Sequence, residues 1–431
     1  MSTDGNSSSS SEIAPVTKVE GNPLQQNIRA IPTLQEAMTL TTRYPNLEPE
    51  SSTPHEVIVG GAADTFVSNP EVGRAFVSVV SLMWSSYHDR DLRNPEYREY
   101  ASNAAAFFRT EPKRGRHLVP LRFGIAPHAK ARGMILIAPV RMGRRLLADI
   151  LQSEIGSKPR AVRIPAADRF TDYLQLPCLR MHWPLNGELG GLAQGFFGAF
   201  DAAFNTVLAD SVRSMRFRER DILPAMCTLG VAANLGLVIV ERINVEDATK
   251  TGAAATWSAI AQFTRTTGIP VLCLATPGAV ALGLRWLPGS RGDLTAAEPV
   301  ELVPTRSSRD ERWVSICRAQ FDATLGVLGI GPMPHWLPDA AYLLTLGFPG
   351  LLANALRGIA LHLATLEATV FNEKIFIKHG KLALLLETPD IDAVKAILAQ
   401  RNPNPASLIK YSDWLPVAKL RPVISLPELE G

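Results

Sequence analysis

The chain of 431 residues is 46% hydrophobic and 20% charged, enough apolar material for one large core or two ordinary ones, which places it with globular proteins. Its net charge of +3 is too small to argue for a partner. Four cysteines without a C-x-x-C pair exclude a zinc or disulfide framework and read as reduced core residues of a cytoplasmic protein, and the serine-rich start, Met1 to Ser11, lacks the apolar stretch of a secretory signal.

Residues 1–55 are rich in Ser, Thr, Pro, Asn and Gln and read as a disordered arm with one short amphipathic piece near Leu34 to Leu40. A helical N-terminal segment, 56–125, follows. In it Val72, Phe76, Val79, Val80 and Met83 share one helix face, and Tyr97, Tyr100, Ala104, Phe107 and Phe108 share a second. The stretch Arg109 to Arg145 is one-sidedly basic, with Arg109, Lys113, Arg114, Arg116, Arg122, Lys130 and Arg132 in its first part and Glu111 as its single acid. Such charge suits a polyanion such as double-stranded DNA, and it equally suits a solvated face whose acids come from elsewhere in the fold.

An α/β core is expected over 126–300. Gly133–Ile137 reads as a strand that runs through Ala138 to Gly143, Arg144 and Arg145 into a helix from Leu146 to Ile155. Strand, glycine turn and helix is the arrangement that cradles phosphates, because free amides at the helix start point at the anion. Leu179–Met181 reads as another strand, and Phe196, Phe197, Phe200 and Phe204 as helix packing. Ile222 to Val240 is almost wholly apolar, but Pro224 and the break at Asn234–Gly236 favour a buried helix followed by a buried strand over a membrane span. The runs Leu237–Val240 and Val271–Leu274, joined by a helix from Trp257 to Thr266, then read as parallel strands whose ends direct Glu241, Arg242 and Thr276 at one crevice. Strands are expected to stop near residue 276. A helical lid over 301–400 and a Pro-rich irregular tail over 401–431 complete the chain.

This order resembles an AAA+ ATPase, and more narrowly the TniB/TnsC family of ATP-dependent transposition regulators. Gly236 through Asn244 is similar to that family's G-L-L-V-I-D-E-I-Q segment, and Gly268–Val271 with Ala275–Pro277 to its G-[IV]-P-V-V and G-T-P pair. Trp183 to Gly187 with Leu192, Phe196, Phe197 and Asp201 resembles its C-P-x-D-G-S and following helix. Leu346–Gly350 and Ala364–Phe371 resemble two lid helices, so the likeness runs colinearly over about 130–400. It implies an AAA+-type P-loop NTPase core with a parallel sheet, assembly as a homo- or hetero-oligomer on double-stranded DNA, partnership with a transposase and target-selection proteins, and ATP with magnesium as cofactors.

The chain departs from the family where chemistry is done. The loop Lys, which reaches the terminal phosphates, is replaced by Arg144, and the magnesium-binding hydroxyl by Arg145. Ala138 replaces the first loop glycine, Glu241 takes the metal-binding Asp position, and Arg242 takes that of the catalytic Glu, where a guanidinium cannot act as a base. Gly143 alone is kept from the loop motif. Hydrolysis by the family's mechanism is therefore expected to be lost. The arginines either pair with Glu241 or another acid in place of nucleotide, or hold ATP without magnesium. The readings that compete with a degenerate scaffold are an active ATPase with an unconventional site and a pseudo-ATPase subunit beside an active paralogue.

Overall fold

The computed structural model describes residues 21–45, 53–109, 124–166, 169–206, 219–284, 289, 291–368 and 370–424. The strands are β1 (Gly133–Ile137), β2 (Arg160–Ala166), β3 (Arg169–Gln175), β4 (Cys178–His182), β5 (Leu237–Ile243), β6 (Val271–Ala275) and β7 (Val300–Glu301). Five of them make a parallel sheet in the order β4-β5-β6-β1-β7, with β1 bordered by β6 and by the short edge strand β7. β2 and β3 form a separate antiparallel hairpin. Neither the hairpin nor β7 is anticipated by the sequence reading, which ended the strands near 276: β7 is only two residues long, too short to show a pattern.

The strands read as unalternated apolar runs because both faces of the sheet are covered. Met134, Leu136, Leu237, Ile239, Leu272 and Leu274 enter one core, packed by the helices Pro70–Asp89 and Arg144–Ile155. Ile135, Ile137, Val238, Val240, Val271 and Cys273 enter the other, packed by Leu189–Phe204, Glu219–Ala232 and Ala253–Thr267. Phe196, Phe197 and Phe200 are buried here as packing residues. The apolar segment at 222–240 is the helix Glu219–Ala232 followed by β5, with Pro224 inside the helix and not at its start. No single helix among the described residues is long and apolar enough to cross a membrane.

Both ends of the chain correct the expectation. Within 1–55, residues 1–20 and 46–52 lie outside the described residues, but the amphipathic piece is the ordered helix Leu34–Thr41, and the helical segment expected from 56 opens at Pro54 with Pro54–Asp64. Each starts with a capping box, Thr33 with Glu36 and Thr53 with Glu56, which satisfies helix-start amides that polar composition alone does not reveal. Ala37 and Ile58 are then fully buried. The tail is also ordered, with helices Pro405–Lys410 and Val417–Ile424 closing on Val394 and Ile397. Between β7 and the tail the chain is helical, with Glu311–Asp322, Leu337–Thr345, Pro349–Thr365, Glu373–Ala383 and Thr388–Ala399. The architecture is an α/β core of the P-loop NTPase class followed by a helix-rich region.

Cys178, Cys227, Cys273 and Cys317 are buried, unpaired thiols, and burial pushes each up to about 12. A thiol-specific reagent at mildly alkaline pH is expected to leave the native protein unmodified and to titrate all four after denaturation.

Candidate functional site

The turn after β1 leads through Gly143 into the helix Arg144–Ile155. Gly143 adopts φ +78°, a conformation that favours glycine, and a Cβ there would stand 3.2 Å from the Phe66 ring, which would have to give by a few tenths of an ångström. Ala138 is fully buried and its N–H donates to the Ala275 carbonyl at 2.9 Å, which extends the sheet and turns that amide away from any ligand. The replacement of the first loop glycine is thus absorbed by the sheet.

Arg144 folds back across the strand ends and donates from Nη1 to the Ile243 carbonyl at 3.2 Å. Burial lowers its pKa, opposed by the nearby carboxylates of Asp413 and Glu241. Glu241 is only 2% exposed, and its partners are not the arginines expected of it. Arg180 donates from Nε at 3.0 Å and lies with Nη2 2.8 Å from Oε1, and His182 Nε2 stands 2.9 Å from the same oxygen. Both come from β4, whose parallel register places His182 directly opposite Glu241. Arg180 also pairs with Asp149 of the helix behind the turn. A carboxylate in a sheet interior needs a matching charge, and the adjacent strand supplies it before the loop arginines do.

Arg242 sits at a β-bulge, where the register with β6 shifts between Val240 and Ile243, and adopts φ +61°. The bulge turns it outward, so it is exposed while Glu241 and Ile243 on either side are buried. Arg145 is exposed as well, and neither side chain has an ion-pair or hydrogen-bond partner among the described residues. Thr276 is fully buried, and its hydroxyl lies by the Asp413 carboxylate, whose charged form it favours. The expected convergence of Glu241, Arg242 and Thr276 on one crevice therefore divides: the first two line a cleft and Thr276 does not.

That cleft has a volume of 590 Å³ and lies between the phosphate-loop-like turn, the end of the helix Pro54–Asp64, and the helices Glu311–Asp322 and Pro349–Thr365. Arg141, Arg144, Arg145, Arg242 and Arg312 face it. Arg141 is paired with Glu387 at 2.7 Å, and Arg312 Nε is buried without a hydrogen-bond partner among the described residues. Magnesium does not fit the strand ends and the start of the helix Arg144–Ile155. The Glu241 carboxylate is held by Arg180 and His182, Asp149 is held by Arg180, Arg145 carries a like charge, and the acid of the cleft that is unpaired among the described residues, Asp64, lies on its N-terminal wall. Acids are the scarce group here, and phosphate-binding donors are plentiful.

No family model matches the chain, and no curated protein matches it. Among solved structures it is similar to the Walker-type ATPase PABY2304 of Pyrococcus abyssi, at 12% identity and TM-score 0.40 over 66% of this chain and 84% of that one. It is similar also to the ORC2 protein of Aeropyrum pernix, at 13% identity and TM-score 0.39 over 78% of this chain and 83% of that one. The ORC1 protein of Aeropyrum pernix, solved in complex with DNA, matches at 11% identity and TM-score 0.39, over 81% of this chain and 82% of that one. The fold assignment above rests on the strand order and the turn after β1, not on these likenesses.

Of the basic stretch, Lys113, Arg114, Arg116 and Arg122 lie outside the described residues, as does the side chain of Arg109. Lys130 is exposed, 3.7 Å from Asp89. Arg132 is 4% exposed, and its guanidinium is bound by Asp89 at 2.5 Å, by Ser85 and by the Gly268 carbonyl at 3.3 Å. It is a structural cation, which removes it from the expected DNA-binding set. Arg180, His182, Asp149, Arg312 and Asp413 are site residues that motif reading missed. A charge inside the otherwise apolar run Leu179–Met181 was the one local signal, since a buried arginine demands an acid.

Arg180→Met is expected to destabilise the protein by about 3 kcal/mol, because it leaves Glu241 buried with His182 alone. Urea denaturation checks this, and adding Glu241→Gln to the same chain is expected to recover most of the loss.

Proposed function

We propose that this protein is a hydrolysis-deficient AAA+-type regulator of transposition, which assembles on double-stranded DNA as a scaffold and links target selection to the transposase. The observation that carries the hydrolysis half is the state of Glu241. The one carboxylate left at the metal and base positions is committed to Arg180 and His182, and the neighbouring positions hold Arg145 and Arg242. Those positions therefore offer no free acid to hold magnesium or polarise water, and the cleft's unpaired carboxylate, Asp64, comes instead from the end of the helix Pro54–Asp64. The transposition half is supported by the order of the segments that resemble TniB/TnsC: they lie on β5, on the approach to β6, at the β6 end and at the start of the helix Pro349–Thr365, whereas Ala364–Phe371, expected as a helix, leaves that helix after Thr365.

The arginines that remain unneutralised in the cleft favour a phosphate-bearing ligand bound without a metal over complete internal neutralisation. Arg145, Arg242 and Arg312 offer donors at its wall, and the uncapped start of the helix Arg144–Ile155 adds its amides. Calorimetry with ATP is expected to give an affinity that magnesium does not improve and that falls as salt rises. Phosphate release with magnesium is expected to match a protein-free control. Magnesium-dependent release abolished by Arg144→Ala would instead establish the active ATPase.

DNA contact is assigned to the phosphate backbone and to the stretch from Arg109 to Lys130, since Arg132 is consumed inside the fold. Gel shifts with duplex DNA are expected to show binding that weakens with salt. Replacing Lys113, Arg114 and Arg116 by alanine should lower the salt slope by about 1 for each phosphate contact removed. Binding that is absent, or indifferent to salt, would remove the DNA assignment.

A further inference from the structure

The crevice beyond the carboxyl ends of parallel strands is where an open α/β sheet receives a ligand. In this protein the chain's own C-terminal part fills it. The Asp413 carboxylate accepts the Val245 N–H with both oxygens, at 3.2 and 3.1 Å, and the Thr276 hydroxyl beside it favours its charged form. The Asp413 carbonyl accepts the Val140 N–H at 2.9 Å. Arg144 lies close enough for its charge to act on the same carboxylate. A main-chain amide just past β5, a hydroxyl just past β6 and the guanidinium at the helix start thus converge on one internal anion.

The fit is tight and the segment reaches both parts of the molecule. A Cβ added to Gly278 would stand 2.3 Å from Ser412 Oγ and 2.6 Å from Asp413 Oδ1, so the turn sits against the backbone that follows β6. Farther along, the Val417 N–H donates to Glu301 Oε1 of β7 at 2.7 Å. Toward the helical region, Trp414 packs edge-on against Phe348, at 5.5 Å between centroids, where the helix Pro349–Thr365 begins. Leu408, Leu415, Leu420 and Val423 close on Val394 and Ile397. Burial raises the pKa of Asp413 against the opposing pull of Thr276, Val245 and Arg144, so placing a carboxylate here is costly without those partners.

We propose that residues 405–424 are an internal strap, in which Asp413 is a built-in anion that occupies the strand-end crevice and couples the helical region to the sheet without any bound ligand. This goes beyond the function proposed above and does not depend on it, because its readout involves neither DNA nor nucleotide. In the wild type the Val245 amide is taken by the Asp413 carboxylate, so this position, unlike the neighbouring cleft, is closed to a free anion. Removing the carboxylate vacates a site lined by one amide, one hydroxyl and one guanidinium, the donor set that suits inorganic phosphate.

The experiment is hydrogen exchange by mass spectrometry on the full chain, comparing wild type with Asp413→Ala and the more conservative Asp413→Asn, with and without millimolar inorganic phosphate at matched ionic strength. Asp413→Ala is expected to speed exchange in Leu337–Thr345 and Pro349–Thr365 by about tenfold, a loss of about 1.4 kcal/mol of local protection, and phosphate is expected to restore it. Phosphate should leave the wild type unchanged. Asp413→Asn, which keeps an acceptor for Val245, should shift exchange in the same direction by less and keeps the test open if the alanine variant does not fold. Unchanged exchange in those helices in both variants would overturn the strap, and loosening that phosphate fails to reverse would overturn the anion role of Asp413.

Discussion

The buried pair of Glu241 with Arg180 is the constraint on which the rest of the site depends. A carboxylate 2% exposed, on a strand whose neighbours enter two apolar cores, needs donors at contact distance to offset its burial. β4 provides Arg180 on the same face, and the parallel register brings His182 alongside. Once that acid is satisfied from within the sheet, it is not available to a cation in the cleft or to the arginines of the loop.

The fates of those arginines follow. Arg144 is the one that points inward, and it finds a main-chain carbonyl and the field of two carboxylates. Arg242 would share the sheet interior with Glu241 if β5 ran regularly. The bulge adds a residue, the side chain turns out, and the strand regains its register at Ile243 opposite Ala275. Arg145, next along the helix, is exposed as well. The expected network of arginines inside an empty pocket is therefore realised by Arg144 alone, and the others make a cationic wall.

The parallel sheet was legible in the sequence because burial on both faces leaves a signature that survives any lid or tail, namely short apolar runs such as Leu237–Val240 and Val271–Leu274 with a helix between them. The cations at the strand end and the helix start were legible too, because Arg145 and Arg242 can neither ligate a metal nor act as a base wherever they point. What was not legible is long-range pairing. Arg132 looks like its basic neighbours in the sequence, yet Asp89, on a helix that crosses the sheet, makes it part of the core. Thr276 ends a strand as expected, and only the arrival of Asp413 from the far end of the chain shows that it is covered. The ends themselves were misread because a capping box and single buried residues such as Ala37 and Leu408 order segments whose average composition is polar.

Those two misread ends share a role. In a phosphate-binding turn several amides wait for an anion, and the turn is ordered by its ligand. Here the Ala138 N–H is spent on Ala275 and the Val140 N–H on Asp413, while Gly143 is pressed against Phe66, which follows the N-terminal helix Pro54–Asp64. The Gly350 N–H, at the start of a lid helix, donates to the Arg141 carbonyl at 2.8 Å. The turn is thus braced from the N-terminal helices, the helical region and the tail at once. A loop braced in this way holds its shape through contacts within the chain and does not need a ligand to order it.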